Sequence, residues 1–184
     1  TGKVLMDRNC PDFLRDTAET GYAESKALIE RWHNRDRLLY AITPRFAPTS
    51  TPAQMTLAGR LFNEHPGVFL QSHLAENRAE VAWVAQLYPQ ARSYLDVYAR
   101  AGQLGTRAVF AHCIWLDDAD RRHMAETGAA ISFCPTSNLF LGSGLFDLRR
   151  ARALGVRVGL GTDVGGGTSF SMLQTMNEAY KVLQ

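Results

Sequence analysis

The residue types best able to do chemistry in this sequence stand where short apolar segments end. His73 and His112 each end one such segment, and Asp163 follows another. Imidazole nitrogens and carboxylate oxygens are ligands that suit a borderline metal ion such as zinc. A single histidine at the end of a strand is more often an ordinary polar residue. The spacing alone therefore leaves a metal site and a structural role both open.

The alternation of side chains along a strand predicts a direction for these residues. His73 falls on the face of Gln71, and His112 falls on the face of Phe110. Asp163 shares the parity of the glycines that precede it, which would leave open space beside it. We interpret this parity as a shared direction and predict that the three side chains converge.

Glu76 lies three residues after His73 and opens a predicted helix. The helix dipole favours a carboxylate at that position, which is a sufficient structural reason for it. Next to a metal-activated water, the same carboxylate is a candidate proton shuttle. The catalytic interpretation of Glu76 therefore depends on the metal site.

Two further stretches carry weaker signals. Gly165–Gly167 precede a helix, where backbone N–H groups could hold a phosphate, but no GxxxxGK[ST] or GxGxxG motif accompanies them. Phe133–Asn138 has the composition of a rigid polar turn after a strand, or of an ordinary loop. A phosphate-binding barrel or open sheet therefore remains as an alternative of another class.

Six apolar segments have the length and the Val, Ile and Phe content of buried strands. They are Lys3–Asp7, Leu38–Thr43, Val68–His73, Arg107–His112, Ala129–Cys134 and Val156–Gly161. Helical patterns lie between them, and this alternation predicts a parallel sheet with crossover helices. Their spacing suits a (β/α)₈ barrel, in which one unit takes about 31 residues. We predict an α/β fold with about six βα units of such a barrel; an open doubly wound sheet is the alternative.

The helices have start and stop signals of their own. Thr51–Gln54 reads as a capping box with Pro52 at the first helical position. Asp117 can begin a helix that Gly128 ends. The other predicted helices are Asp16–Trp32, Asn77–Tyr88, Phe146–Leu154 and Thr168–Leu183.

The composition excludes several classes of protein. Of 184 residues, 46% are hydrophobic and 21% are charged, which is typical of a globular chain. The net charge of +2 gives no electrostatic reason to expect nucleic acid or an anionic membrane as a partner. Three scattered cysteines argue against a disulfide framework. The cysteine usage suits a reducing compartment, so we expect a cytoplasmic protein. No apolar run approaches the roughly 20 residues that span a bilayer.

Five stretches together resemble the guanine deaminases, a family within the metal-dependent amidohydrolase superfamily, and most closely the bacterial members. They are TPRFAPT (Thr43–Thr49), SHLAEN (Ser72–Asn77), FAHC (Phe110–Cys113), SFCPTSN (Ser132–Asn138) and GLGTDVGGGTSFSML (Gly159–Leu173). The resemblance covers essentially the whole chain. It implies a (β/α)₈ barrel flanked by a small β-sandwich, and the hydrolysis of guanine to xanthine and ammonia.

The resemblance also implies a metal and its ligands. His73 and Asp163 match residues that hold zinc, with Fe²⁺ as a possible substitute. His112 matches a residue beside the metal that orients or polarises the attacking water. Asp163 is also a candidate to take the first proton from that water. His112 and Asp163 are therefore expected to act in catalysis as well.

The substrate side of the site follows from the same resemblance. Glu76 matches the acid that passes protons between the water, the purine ring nitrogen and the leaving amine. Arg45 and Phe46 match the pair that holds the purine, with Arg45 donating to its O6 carbonyl. His73 and Glu76 are expected to contact the small-molecule purine as well.

The sequence departs from the family in two respects. The family supplies two more zinc ligands as a His-x-His pair, whereas no two of the five histidines here lie two residues apart. The family's first two strands and its β-sandwich also have no counterpart in residues 1–184. We therefore expect an internal fragment, a partial barrel domain that by itself binds zinc weakly and turns over little guanine.

The unclosed sheet and the residues of the site lead to three further expectations. An unclosed sheet leaves two edges uncovered, so we expect a homo-oligomer. A deaminase of the same superfamily that acts on another amino-heterocycle is the nearest alternative function. A fragment with a packing role and no catalysis is a further alternative.

Overall fold

The computed structural model describes residues 2–183, and six strands in this range form one parallel sheet. The strands are β1 (Val4–Leu5), β2 (Ala41–Pro44), β3 (Phe69–Leu74), β4 (Ala108–His112), β5 (Ala130–Phe133) and β6 (Arg157–Leu160). Each strand pairs with the next along the chain. A doubly wound sheet reverses its strand order at a switch point, so this order confirms the barrel-type prediction and excludes the alternative. β1 and β6 are the two edges of an unclosed sheet.

Helices connect the strands and cover one face of the sheet. Within residues 2–183 they are α1 (Ala18–Trp32), α2 (Pro52–Glu64), α3 (Arg78–Leu87), α4 (Tyr94–Arg100), α5 (Asp118–Thr127), α6 (Pro135–Phe140), α7 (Leu148–Ala153) and α8 (Met172–Val182). Two short 3₁₀ helices lie at Asp12–Leu14 and Ala47–Thr49. In this part of the chain, every helix falls short of the length and apolar character needed to cross a membrane.

The apolar core lies between the sheet and the helices. Phe110 on β4 is fully buried and packs its ring against Tyr98 of α4, with the ring centroids 4.9 Å apart. Phe133 at the end of β5 packs in the same way against Phe146, which precedes α7. Burying a side chain of this size contributes about 1.5–3 kcal/mol. The opposite face of the sheet is more polar and carries the residues of the candidate site.

All six predicted strands are present, although their limits differ from the predicted ones. The second prediction, Leu38–Thr43, begins too early because Leu38 and Leu39 are about half exposed, and Leu38 pairs with Arg35 in a turn. An exposed pair of leucines lengthens the apolar run in the sequence, so a prediction based on apolar runs includes them in the strand. The helix predicted from Thr168 begins only at Met172.

Two helices were not predicted. The seven-residue α4 is too short for its apolar residues to show a helical period. The stretch Phe133–Asn138, expected to be a rigid turn or a loop, instead enters α6, which has Pro135 at its first position. Proline suits that position because its missing N–H has no intrahelical partner there.

The predicted capping box at Thr51 is half right. The Thr51 hydroxyl accepts from the Gln54 N–H, as an N-cap does. The reciprocal bond is missing, because the Thr51 N–H donates 2.7 Å to a carboxylate oxygen of Asp7 and the Gln54 side chain accepts from Ser50. The start of α2 is thereby tied to the segment that follows β1.

The predicted limits of α5 are confirmed. The Asp117 side chain accepts from the Asp120 N–H at the start of the helix. Gly128 ends the helix in the left-handed region, with φ of 73°. The two signals agree because an acidic side chain satisfies a free N–H and glycine adopts positive φ without strain.

Candidate active site

The two predicted ligand residues and His112, predicted beside them, lie together at the carboxyl ends of the strands. His73, His112 and Asp163 each offer one ligand atom, and these atoms lie within 4.8 Å of one another. The two imidazole rings stack with their centroids 5.5 Å apart. A carboxylate oxygen of Asp163 lies 3.9 Å from Nε2 of His112. The predicted convergence is therefore confirmed for these three side chains.

His112 reaches this cluster by a route that alternation did not predict. Across the ladder between β3 and β4, His73 pairs with Ala111 and Leu74 pairs with His112. Paired residues of a parallel ladder share a face, so the predicted common parity of the two histidines is wrong. The backbone of His112 is left-handed, with φ of 69°, and that of Cys113 has φ of 55°. This turn carries the imidazole to the polar face.

Left-handed backbone recurs at the other strand ends of the site. Ala75, just before Glu76, has φ of 50°, and Asp163 has φ of 46°. Each such residue costs about 1–3 kcal/mol and persists only where the surrounding structure holds it. The carbonyl of Ala75 accepts from the N–H groups of Ile114 and Trp115, which ties the turn after β3 to the turn after β4. Strain of this kind collects at functional sites.

Hydrogen bonds fix the orientation of both imidazole rings. Nδ1 of His73 lies 2.7 Å from the carbonyl oxygen of Arg45, so Nδ1 carries the proton and Nε2 the lone pair. Burial lowers the pKa of His73, which favours the neutral form that binds metal. Nδ1 of His112 lies 2.8 Å from the side-chain oxygen of Asn138.

The cluster fits a metal ion such as zinc. Nε2 of His112 is buried and has no hydrogen-bond partner within residues 2–183. A buried polar atom left in this way costs about 1–3 kcal/mol. The nearest groups are the carboxylates of Glu76 and Asp163, at 3.7 and 3.9 Å. Two imidazoles and a carboxylate around such an atom form a donor set that zinc accepts.

Glu76 lies next to the three ligand residues. One of its carboxylate oxygens is 3.7 Å from Nε2 of His112. The other accepts 2.9 Å from the hydroxyl of Ser143. One oxygen is thus held by the protein, and the second faces the cluster, where it can take or give a proton.

Arg45 and Phe46 stand at the same end of the sheet. The guanidinium of Arg45 lies over the ring of Phe46, 4.5 Å from the centroid. The Phe46 ring meets His73 edge-on, with the centroids 6.4 Å apart. The structure therefore brings all six predicted site residues into one region, with the ligand cluster at its centre and Arg45 at its outer side.

A cleft of about 380 Å³ runs from the cluster along the polar face of the sheet. Its lining includes Thr43, Gln71, Ser132 and Gly161 as well as His73 and Asp163. Small-molecule sites usually occupy about 300–1,000 Å³, so the cleft has room for one small ligand.

The tri-glycine turn has no free N–H groups to offer a phosphate. The N–H groups of Gly166 and Gly167 both donate to the carbonyl of Asp163, and that of Gly165 donates to the carbonyl of Gly167. The turn serves to fold the chain back beside Asp163. The phosphate-binding alternative therefore has no support from this geometry.

Two residues that hydrogen-bond to the side chains of His112 and Glu76 were not predicted. Asn138 binds His112 across 26 residues of sequence, and Ser143 binds Glu76 across 67. Both lie in or just after the SFCPTSN stretch, which the resemblance singled out without a role for either. A contact over such distances along the chain leaves no periodic signal in a single sequence.

Comparisons with known proteins extend to the whole chain. The family model described as "Amidohydrolase family" matches residues 1–184. The chain is 60% identical over 183 residues to the guanine deaminase of Escherichia coli (strain K12), covering 100% of this chain and 42% of that protein.

Solved structures give the same result. The E. coli guanine deaminase matches with a TM-score of 0.98 and 60% identity, over 100% of this chain and 43% of that one. The guanine deaminase from C. acetobutylicum, with bound guanine in the active site, matches with a TM-score of 0.94 and 33% identity, over 98% and 43%. This chain spans less than half the length of these relatives.

Proposed function

This chain belongs to the amidohydrolase family, and we propose that the whole protein hydrolyses guanine to xanthine and ammonia. One observation carries the proposal. A cluster of His73, His112 and Asp163 with the Glu76 carboxylate in reach occurs in a chain 60% identical to a guanine deaminase. The six sequence-predicted site residues lie at the strand ends where barrel enzymes carry out chemistry.

We propose zinc as the metal, held by His73 and Asp163 with His112 beside it. When bound, zinc supplies Lewis-acid activation of water, whose pKa it lowers to about 7. His73 is suited to this role because Arg45 holds its Nδ1 proton and leaves Nε2 as the ligand atom. Asp163 contributes a negative charge next to both rings.

Glu76 is proposed to move the protons. Hydrolysis adds the oxygen of water to C2 of guanine and breaks the bond from C2 to the exocyclic nitrogen. The free oxygen of Glu76 takes a proton from the water and gives it to the ring nitrogen next to C2. A second transfer protonates the exocyclic nitrogen, which leaves as ammonia. General acid–base catalysis of this kind contributes about 10²- to 10⁴-fold to the rate.

Arg45 and Phe46 are proposed to hold the purine. The guanidinium presents a planar set of donors that suits the O6 carbonyl and keeps its charge at every working pH. The Phe46 ring offers an apolar face of the right shape for a flat heterocycle. Because Phe46 touches His73, a base stacked there would lie within reach of the ligand cluster.

The resemblance implies two further ligands from a His-x-His pair, which does not occur in these 184 residues. Residues 1–184 are accordingly proposed to be one part of a barrel domain. By themselves they should bind zinc weakly, because structural and catalytic zinc sites normally use three or four protein ligands. A micromolar or tighter zinc affinity of this chain in calorimetry would contradict that expectation.

We also propose a cytoplasmic homo-oligomer. The two strand edges, β1 and β6, need a cover in any stable assembly. Sedimentation of the whole protein tests this. A monomer means that the two edges are covered within one chain, and an oligomer means that they are covered between chains.

The test of the function is turnover by the whole protein together with its metal content. Guanine is compared with a triazine, a pterin and cytosine as substrates. Zinc at about one per chain with xanthine as product supports the proposal. Bound zinc with turnover of another heterocycle would make the substrate wrong, and the absence of both would remove the proposal.

Glu76→Gln gives a sharper readout, because the variant keeps the shape and loses the proton transfer. A fall in kcat of about 10²- to 10⁴-fold with zinc retained is expected. Glu126→Gln on the exposed face of α5 is the matched control. An unchanged kcat in Glu76→Gln would contradict the assigned role.

A further inference from the structure

One short segment reaches both reactive side chains of the site. It runs from Pro135 to Ser143 and comprises α6 and the turn after it. Asn138 contacts His112, and Ser143 contacts Glu76. We propose that Asn138 and Ser143 are positioning residues that fix His112 and Glu76 relative to each other, an inference that rests on the proposed function.

The contact to His112 determines which ring nitrogen faces the cluster. The side-chain oxygen of Asn138 accepts from Nδ1 of His112 at 2.8 Å, and both residues are almost fully buried. A neutral imidazole that donates through Nδ1 keeps its lone pair on Nε2. That atom faces Glu76 and Asp163. By holding the proton on Nδ1, Asn138 leaves Nε2 of His112 as a ligand or acceptor atom that faces the site. In the other tautomer an N–H group would point there.

The contact to Glu76 determines which carboxylate oxygen is free. The hydroxyl of Ser143 donates 2.9 Å to one oxygen, and the other is the one near Nε2 of His112. Ser143 is 5% exposed, so water does not compete freely for this bond. With one oxygen occupied, the carboxylate has a single orientation toward the place where protons move.

The segment is itself fixed to the strand ends. The carbonyl of Ser143 accepts 3.0 Å from the indole N–H of Trp115, three residues beyond β4. The Ser143 N–H donates 2.9 Å to the carbonyl of Asn138, which closes the turn between the two positioning residues. His112 and Glu76 are thus held from one rigid piece of chain, and a shift of that piece moves both.

Asn138→Leu in the whole protein tests the first contact. Leucine has nearly the same size and no acceptor, so the Nδ1 proton of His112 loses its partner. The expected result is a change of the His112 tautomer, seen by ¹⁵N NMR of the metal-free protein labelled at histidine, at mildly alkaline pH. The value of kcat is expected to fall by about 10- to 100-fold, and zinc affinity by less, because His112 is proposed to lie beside the metal and not to bind it.

Gln103→Leu is the matched control for this substitution. Gln103 is a fully buried amide whose NH₂ donates to the carbonyl of Met55, far from the ligand cluster along the fold. Its loss should lower the free energy of unfolding by a similar amount and leave the His112 tautomer and the zinc affinity unchanged. If Asn138→Leu only destabilises the protein, as Gln103→Leu does, the positioning role of Asn138 is wrong.

Ser143→Ala and Ser143→Thr test the second contact. The alanine variant loses the hydroxyl, and kcat should fall by about 10- to 100-fold with KM and zinc affinity nearly unchanged. The threonine variant keeps the hydroxyl and should recover most of kcat. Ser25→Ala removes a buried hydroxyl that has no partner within residues 2–183 and is the control. Equal kcat in the alanine variant and the parent would overturn the role of Ser143.

The two proposals fail in different ways. A protein that binds zinc and ignores guanine removes the proposed function, yet the His112 tautomer and the zinc affinity still test Asn138. A protein that turns over guanine, with the opposite tautomer in the parent or no change in Asn138→Leu, keeps the function and removes this inference.

Discussion

The hydroxyl of Tyr98 donates a hydrogen bond of 2.7 Å to the carbonyl oxygen of His73. The same hydroxyl accepts from the N–H of Ala47 and lies 2.9 Å from the hydroxyl of Ser72. One buried side chain of α4 thus links β3, which carries a candidate ligand, to the segment after Phe46. The position of Arg45 and Phe46, the candidate substrate-binding pair, relative to the ligand cluster therefore depends on Tyr98.

Tyr98→Phe removes that link without changing the ring. Three buried groups lose a partner, so the free energy of unfolding should fall by about 1–3 kcal/mol for each group left unsatisfied, less whatever water replaces. We also expect weaker zinc binding, because the carbonyl of His73 loses its hydrogen bond from Tyr98 and the residue is positioned less firmly. Urea denaturation and a zinc titration of the whole protein check the two effects.

Tyr88→Phe serves as the control for this change. The hydroxyl of Tyr88 is likewise buried, and it donates to the carbonyls of Ala47 and Ser50 and to no group on β3. It should lower stability and leave zinc affinity nearly unchanged. Equal zinc affinities in the Tyr98 variant and the parent would show that the hydroxyl holds the fold alone.

Asp163→Asn should separate metal binding from folding. The amide has the size of the carboxylate and lacks its charge, so one of the two proposed zinc ligands is lost. Zinc affinity is expected to drop by more than about 100-fold, which exceeds the usual effect of an outer partner. Asp147→Asn caps α7 far from the cluster and should bind zinc like the parent, because asparagine also caps a helix. Calorimetric titration of both variants compares them; tight zinc binding by Asp163→Asn would remove Asp163 from the ligand set.

The strands and the clustering of the three site residues were predictable because strand ends repeat the same chemistry. His73, His112 and Asp163 each stand at or just after the end of a short apolar segment, and parallel strands bring such ends to one side. The direction of His112 was not predictable in the same way. Alternation assumes extended backbone, and the left-handed turn at His112 and Cys113 interrupts it.

The residues that hydrogen-bond to the site residues also could not be predicted from the sequence. Tyr98 lies on a helix of seven residues, which is too short to show a period. Asn138 stands in a stretch with the composition of a turn, and its contact to His112 exists only once β4 and α6 are packed together. Contacts of this kind depend on tertiary structure, while strand and helix signals depend on neighbouring residues.

Gly167→Ala should disrupt the turn that holds Asp163. A Cβ atom at this position would lie 2.1 Å from the carbonyl oxygen of Thr162 and 2.9 Å from the hydroxyl of Thr136. The backbone oxygen is itself held, because it accepts a hydrogen bond of 3.0 Å from the hydroxyl of Thr136. We expect a lower thermal midpoint and weaker zinc binding together.

Gly105→Ala is the matched glycine substitution. Its Cβ would meet only the ring of Phe62, at 3.4 Å, which is an ordinary contact. Thermal unfolding with and without zinc should therefore resemble that of the parent. If Gly167→Ala behaves like this control, the close packing of the turn is not needed for the site.

Glu80 is a buried carboxyl one helical turn after Glu76. Burial raises the pKa of Glu80, and the nearby Glu76 raises it further. The Tyr94 hydroxyl and His112, which also face it, lower the pKa and offset this effect only in part. A carboxyl with a raised folded-state pKa contributes stability below its unfolded pKa and loses it as the pH rises through the folded value.

Glu80→Gln should therefore become more stable relative to the parent as the pH rises. Glutamine is neutral at every pH, whereas the parent must bury a charge once the pH passes the raised pKa of Glu80. The difference in free energy of unfolding is measured by urea denaturation from below to well above the ordinary value of 4.5. Glu126→Gln, on the exposed face of α5, should show no such trend. Any effect of pH on zinc binding acts on the parent and on both variants, so it cancels in the comparison. A difference that stays constant, or that grows in favour of the parent at high pH, would mean that Glu80 is ionised in the folded protein at no cost.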